Sequence, residues 1–198
     1  TDIFVRQINT STTTRVNLSE RGVEGELASA RPVATPDGSL VVYQSAAPNL
    51  TPDDANAATD IFAYDRAGKT TTRISLAADG TEGNGHSSQP SISHDGRFVA
   101  YTSQASNLVA GDSNGKDDIF VVDRQTSIVT RVSVASDGSE ANGDSSSPVI
   151  SGDGQTVAFV SAATNLLGVG NDNNGVEDVY LHDLVTGLTE RLSNNSSG

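Results

Sequence analysis

Two short loops in this chain carry the oxygen-rich pattern of a cation ligand set. They are Asp112-Ser113-Asn114-Gly115-Lys116-Asp117-Asp118 and Asp172-Asn173-Asn174-Gly175-Val176-Glu177-Asp178. Carboxylates and an amide at alternating positions around a glycine turn are the donors that calcium takes. Asp112, Asn114, Asp118, Asp172, Asn174 and Asp178 are therefore candidate calcium ligands. The glycine comes earlier than in an EF-hand loop, and the distant bidentate Glu is missing. The same residues also read as Asx turns, in which Asp and Asn bond nearby amides and Gly supplies a special dihedral. A weaker copy runs from Asp54 to Asp60, with Ala57 and Thr59 where the others have Gly and an acid.

A second loop type repeats a Glu and an Asn at one spacing, in Gly80-Thr81-Glu82-Gly83-Asn84-Gly85-His86 and Gly138-Ser139-Glu140-Ala141-Asn142-Gly143-Asp144. Glu82, Asn84, Glu140 and Asn142 could hold a glycan or peptide through carboxylate and amide hydrogen bonds; the other reading is a solvated loop. Signals for catalysis are weaker. Gly111-Asp112-Ser113-Asn114-Gly115 matches the Gly-x-Ser-x-Gly elbow, but that motif needs a strand before it and a helix after it. Here a strand follows. Asp117 and Asp118 are adjacent on a strand and point to opposite faces, so they do not form a dyad. His86, His94 and His182 do not recur between copies. The chain reads as non-enzymatic.

These loops are positioned by a repeat. One phrase returns as Thr1-Asp2-Ile3-Phe4, Thr59-Asp60-Ile61-Phe62, Asp117-Asp118-Ile119-Phe120 and Glu177-Asp178-Val179-Tyr180, at intervals of 58, 58 and 60 residues. A period in this range marks stacked copies of one supersecondary unit. Each copy divides into four short β-like runs. The first follows a proline, at Pro32, Pro90 and Pro148. An Asp-Gly turn at Asp37-Gly38, Asp95-Gly96 or Asp153-Gly154 then supplies the dihedrals of a tight hairpin. The second run is Leu40 to Ser45, Phe98 to Ser103 or Thr156 to Ser161, and the recurring phrase opens the third. The fourth contains Thr14-Arg15-Val16, Thr72-Arg73-Ile74, Thr130-Arg131-Val132 or Glu190-Arg191-Leu192. An Arg at one register of every fourth strand reads as protection of an exposed edge against strand addition.

Four antiparallel strands repeated radially make an all-β propeller of four-stranded blades, each about 58 residues long. The expected units are a half blade over 1–18 and complete blades over about 32–76, 90–134 and 148–193. The run of Pro, inner strand, Asp-Gly turn, Val-Ala-Tyr/Phe and Asp-Ile-Phe-Val-x-Asp resembles the TolB-type propeller repeat, related to WD repeats. That resemblance implies a bacterial protein that is periplasmic, secreted or on the cell surface, acting as a binding scaffold. The alternative it implies is a propeller domain that accompanies a hydrolase of the peptidase type.

Strand alternation places both acidic loop types on one face of the blades, opposite the tight turns. Three and a half blades do not close a ring, so the sequence leads us to expect self-association or pairing with a missing segment. The tail Asn194-Asn195-Ser196-Ser197-Gly198 reads as half of the loop to a next first strand.

Composition narrows the partners. A net charge of −13 argues against nucleic acid and anionic membranes. With no Cys there are no disulfides or thiolate metal sites, and no apolar run is long enough to span a bilayer. A protein, peptide or glycan remains, with calcium as the cofactor expectation.

Overall fold

In a computed structural model, which describes residues 1–168 and 170–193, all regular structure is β. Fourteen strands run β1 (Phe4–Gln7), β2 (Thr12–Arg15), β3 (Ser29–Ala34), β4 (Leu40–Ser45), β5 (Asp60–Asp65), β6 (Thr70–Arg73), β7 (Ser87–Ile92), β8 (Phe98–Ser103), β9 (Asp118–Asp123), β10 (Ile128–Arg131), β11 (Ser145–Ile150), β12 (Thr156–Ser161), β13 (Asp178–Asp183) and β14 (Thr189–Arg191). They form a two-stranded sheet, β1-β2, and three antiparallel meanders, β3-β4-β5-β6, β7-β8-β9-β10 and β11-β12-β13-β14. We call the meanders blades I, II and III. The expected tail at 194–198 lies outside the described residues.

The second strands fall where the Asp-Gly turns put them. The first strands begin three residues earlier than the prolines suggest. The cause is a register shift in each inner pair, between Ala30 and Val33, Ser88 and Ser91, and Ser146 and Val149. Arg31, Gln89 and Ser147, each just before the proline, sit at φ of 51°, 57° and 56°. A bulge is where a strand tolerates a proline that cannot donate to the ladder.

The middle strands of blades I and II are buried on both faces because blade stacks on blade. Leu40, Val42, Ile61, Ala63 and Ile74 of blade I meet Val99, Tyr101, Phe120 and Val122 of blade II. Ile119, Val121 and Val132 of blade II meet Val157, Phe159 and Tyr180 of blade III in the same way. Ile3 and Val16, which flank the two-stranded sheet, cover Val41, Tyr43 and Phe62. Each blade therefore has a trailing aliphatic face and a leading face that carries an aromatic pair. The pairs stack at centroid distances of 6.1, 6.1 and 5.9 Å: Tyr43 with Phe62, Tyr101 with Phe120, Phe159 with Tyr180. Such offset stacking adds about 0.5–1.5 kcal/mol to the gain from burial.

Candidate functional site

The structure brings the two acidic loop types together and places an arginine between them. Arg131, at the end of β10, lies 3.2 Å from Asp112, 3.7 Å from Asp118 and 2.6 Å from Glu140. Arg73 repeats the arrangement with Asp54 at 3.2 Å, Asp60 at 3.8 Å and Glu82 at 2.5 Å. Arg191 reaches Asp172 and Asp178, both at 3.5 Å, and Arg15 pairs with Asp2 and Glu24. The edge-protection reading of these arginines is thus corrected. Their side chains turn into the loop face, and those of Arg73 and Arg131 are largely withdrawn from water.

The aspartate of the recurring phrase is the common acceptor. Asp118 is fully buried. It receives Ser133 Oγ at 2.5 Å and Asn114 Nδ2 at 2.9 Å, while Asn114 Oδ1 accepts the Lys116 amide at 2.9 Å. Asn114 Nδ2 also donates to the Ala141 carbonyl, 3.1 Å away on the connector to the next blade. Ser75, Asn56 and Gly83 repeat these contacts around Asp60, and Ser193 and Asn174 bond Asp178. Asn17 takes the serine's place beside Asp2. The predicted calcium ligands therefore do converge, around a guanidinium and with the Asx turns formed. A calcium ion would have to compete with that cation. Among the described residues, no group of three or more His, Cys, Asp or Glu is arranged to hold a metal.

Electrostatics follow from this geometry. Burial pushes Asp54, Asp112 and Asp118 above the usual carboxylate range; the neighbouring arginine opposes it at Asp54 and Asp112, and at Asp118 the Ser133 and Asn114 hydrogen bonds do so ahead of Arg131. Glu140 moves the other way, to about 2, because the Ser113 hydroxyl and amide and then Arg131 hold its charged form. The Ala55 amide does the same for Glu82, and the Ser193 hydroxyl lowers Asp178.

The expected ligand-binding residues are engaged within the chain. Glu82 accepts the Ala55 amide at 2.9 Å; Glu140 accepts the Ser113 amide and hydroxyl at 2.9 and 2.6 Å. Asn84 exchanges three hydrogen bonds with Ser106 and Asn107, and Asn142 three with Thr164 and Asn165. Each connector is thus stitched to the blade behind through its Glu and to the blade ahead through its Asn. Sequence reading missed Asn49, Asn107 and Asn165, whose amides donate to the carbonyls of Glu24, Glu82 and Glu140 at 2.7–2.8 Å. Their 58-residue spacing was the available signal.

The catalytic readings find no constellation. Ser113 serves Glu140, with β9 following it. His86 Nδ1 accepts the Thr59 amide at 2.9 Å, His94 packs against Gly152, and buried His182 pairs with Thr189 at 2.9 Å.

Comparison with solved structures bears on this architecture. The tricorn protease superposes with a TM-score of 0.59 at 13% identity, over 98% of this chain and 20% of that one. A prolyl endopeptidase structure gives 0.58 at 14%, over 98% and 26%. The fold is a partial β-propeller. TolB from Acinetobacter baumannii also matches, at 0.44 and 18% identity, over 98% of this chain and 49% of that one. The chain spans about half the length of that TolB, 26% of the prolyl endopeptidase and 20% of the tricorn protease. No family model matches the chain, and neither does any curated protein. At these identities the likeness concerns the fold.

Proposed function

We propose that this propeller is a non-enzymatic interaction scaffold outside the cytoplasm, and that its acidic loop face takes a basic segment of a protein or peptide. The observation behind this reading is the division of labour among the acids. Asp54, Asp60 and Glu82 converge on Arg73, and Asp112, Asp118 and Glu140 on Arg131. Asp53, Asp79, Asp137, Asp144 and Glu177, on the same loops and connectors, stay open to solvent. The arginines fix the loops, and the outer carboxylates give a preorganised negative rim. Preorganisation lowers the ordering cost of binding, and a rim of one sign steers a partner of the other.

In this reading arginine supplies the internal cation, and calcium is dispensable for loop order. The test is binding of a Lys/Arg-rich peptide, measured by calorimetry against an Asp/Glu-rich peptide of equal length. Binding of the basic peptide should weaken with salt, fall severalfold in an Asp53→Asn, Glu177→Gln double variant, and not change with calcium or chelator. Equal binding of the acidic peptide would reject the charge reading. Calcium-dependent binding would return the loops to the metal reading. The likeness to peptidase structures supports a second role, a propeller beside a catalytic domain; a hydrolase domain in the same polypeptide would favour it.

A further inference from the structure

We propose that a hollow between blades I and II binds a small aromatic molecule that carries one hydrogen-bond donor, of the phenol type. The hollow has a volume of about 420 Å³, and Ile74, Leu76, Asp79, Val122 and Arg124 are among the residues that line it. The repeat supplies the comparison. At the joint before it, the place of Val122 is held by Tyr64, 5% exposed and packed with Val16 and Leu18. At the joint after it, the place is held by His182, also 5% exposed. A ring therefore fills the joints on either side, and the middle joint has only the isopropyl group of Val122.

A second, independent observation shows what the ring must carry. At the two filled joints a threonine ties the outer strand to the connector of the unit before it. Thr71 Oγ1 donates to the Leu18 carbonyl, and Thr189 Oγ1 donates to the Val134 carbonyl at 2.6 Å. His182 Nδ1 extends the latter contact, 2.9 Å from Thr189 Oγ1. The counterpart of these threonines at the middle joint is Val129, which has no donor to give. The carbonyl of Leu76, the counterpart of Leu18 and Val134, accordingly receives no hydrogen bond from any described residue. It is a half-buried acceptor in want of a partner. A ring of tyrosine's size with one hydroxyl both fills the space and supplies the donor. Asp79 and Arg124 bring one charge of each sign to the lining, which favours a neutral ligand over an ion. The volume suits a small molecule and is far too small for a folded partner.

Titration of the chain with p-cresol, followed by amide NMR shifts, tests this, with toluene and the peptide Gly-Tyr-Gly as comparisons. The expected Kd for p-cresol is about 0.1–1 mM, the affinity open to a ligand of so few atoms. Toluene, which lacks the donor, should bind about three- to tenfold more weakly. Val122→Tyr puts into the hollow the ring that Tyr64 provides one joint earlier, and it should abolish binding while the melting curve stays close to that of the wild type. Val129→Thr gives the Leu76 carbonyl its hydroxyl from within the chain and should bring p-cresol down to the affinity of toluene, with toluene itself unchanged. A wild-type chain that shows no saturable shift with p-cresol, or a folded Val122→Tyr variant that binds it as well as the wild type does, overturns the proposal. Equal affinities for p-cresol and toluene overturn the role of the Leu76 carbonyl. Tighter binding of the tyrosine peptide than of p-cresol overturns the small molecule as occupant and hands the hollow to a protein segment.

Discussion

Replacing Arg131 by methionine is expected to cost about 3–5 kcal/mol of stability at neutral pH, since it leaves buried carboxylates without their cation. An edge arginine would change stability by no more than about 0.5 kcal/mol. The side chains of Asp112 and Asp118 are almost withdrawn from water and face Arg131 directly, so solvent cannot stand in for the guanidinium. The deficit should depend on pH with a definite sign. Burial already raises the Asp112 and Asp118 carboxyls above their ordinary values; Arg131 opposes it at Asp112, and at Asp118 it adds to the opposing hydrogen bonds from Ser133 and Asn114. Without Arg131 they rise further. A carboxyl whose folded-state pKa exceeds its unfolded value is harmless below the unfolded value and costs stability as pH climbs through the folded one. The variant should therefore approach the wild type near pH 4 and fall behind as the solution is neutralised. Glu140 works in the opposite sense in the wild type: held at about 2, its contribution is present above the ordinary carboxylate value and lost as pH falls toward 2. Urea denaturation across this range reads both effects. A deficit that does not change with pH would show that Arg131 acts through packing alone.

The second large effect is expected in the core. Phe120 is fully buried between blades I and II and stacks on Tyr101 at 6.1 Å with the rings inclined by 29°. Phe120→Ala removes the ring from a face already closed by Ile61, Ile74 and Leu108, and the expected loss is about 3–5 kcal/mol. Ile128, exposed on β10, gives the control: its alanine variant should stay within about 0.5 kcal/mol of wild type. Equal losses at the two positions would contradict blade-on-blade packing as the main source of stability.

Much of the fold was legible because its signals are local. Asp37-Gly38, Asp95-Gly96 and Asp153-Gly154 mark the inner hairpins, and their glycines take the positive φ that the turns need. The start of β3, β7 and β11 was not legible. A proline ordinarily keeps out of a ladder, and nothing local shows that Arg31, Gln89 and Ser147 open a bulge to admit it. The acidic loops were found, with their Asp, Asn and Gly in the correct relation to one another. Their partner was missed, because Arg131 belongs to another strand of the blade and its register alone also suits an edge. Glu82, Asn84, Glu140 and Asn142 looked available for the same reason: what engages them lies 22–27 residues away across a connector. Asn49, Asn107 and Asn165 show that periodic polar residues can be sutures between blades as readily as ligand sites.

The most direct measurement is a double-mutant cycle at the loop hub, with Arg131→Met, the pair Asp112→Asn and Asp118→Asn, and all three together, each followed by urea denaturation at neutral pH. Arginine as the internal cation of the acidic loops requires the combined variant to recover most of the loss seen with Arg131→Met, since removing the carboxylates removes the uncompensated charge. Losses that simply add, with no recovery, would contradict it.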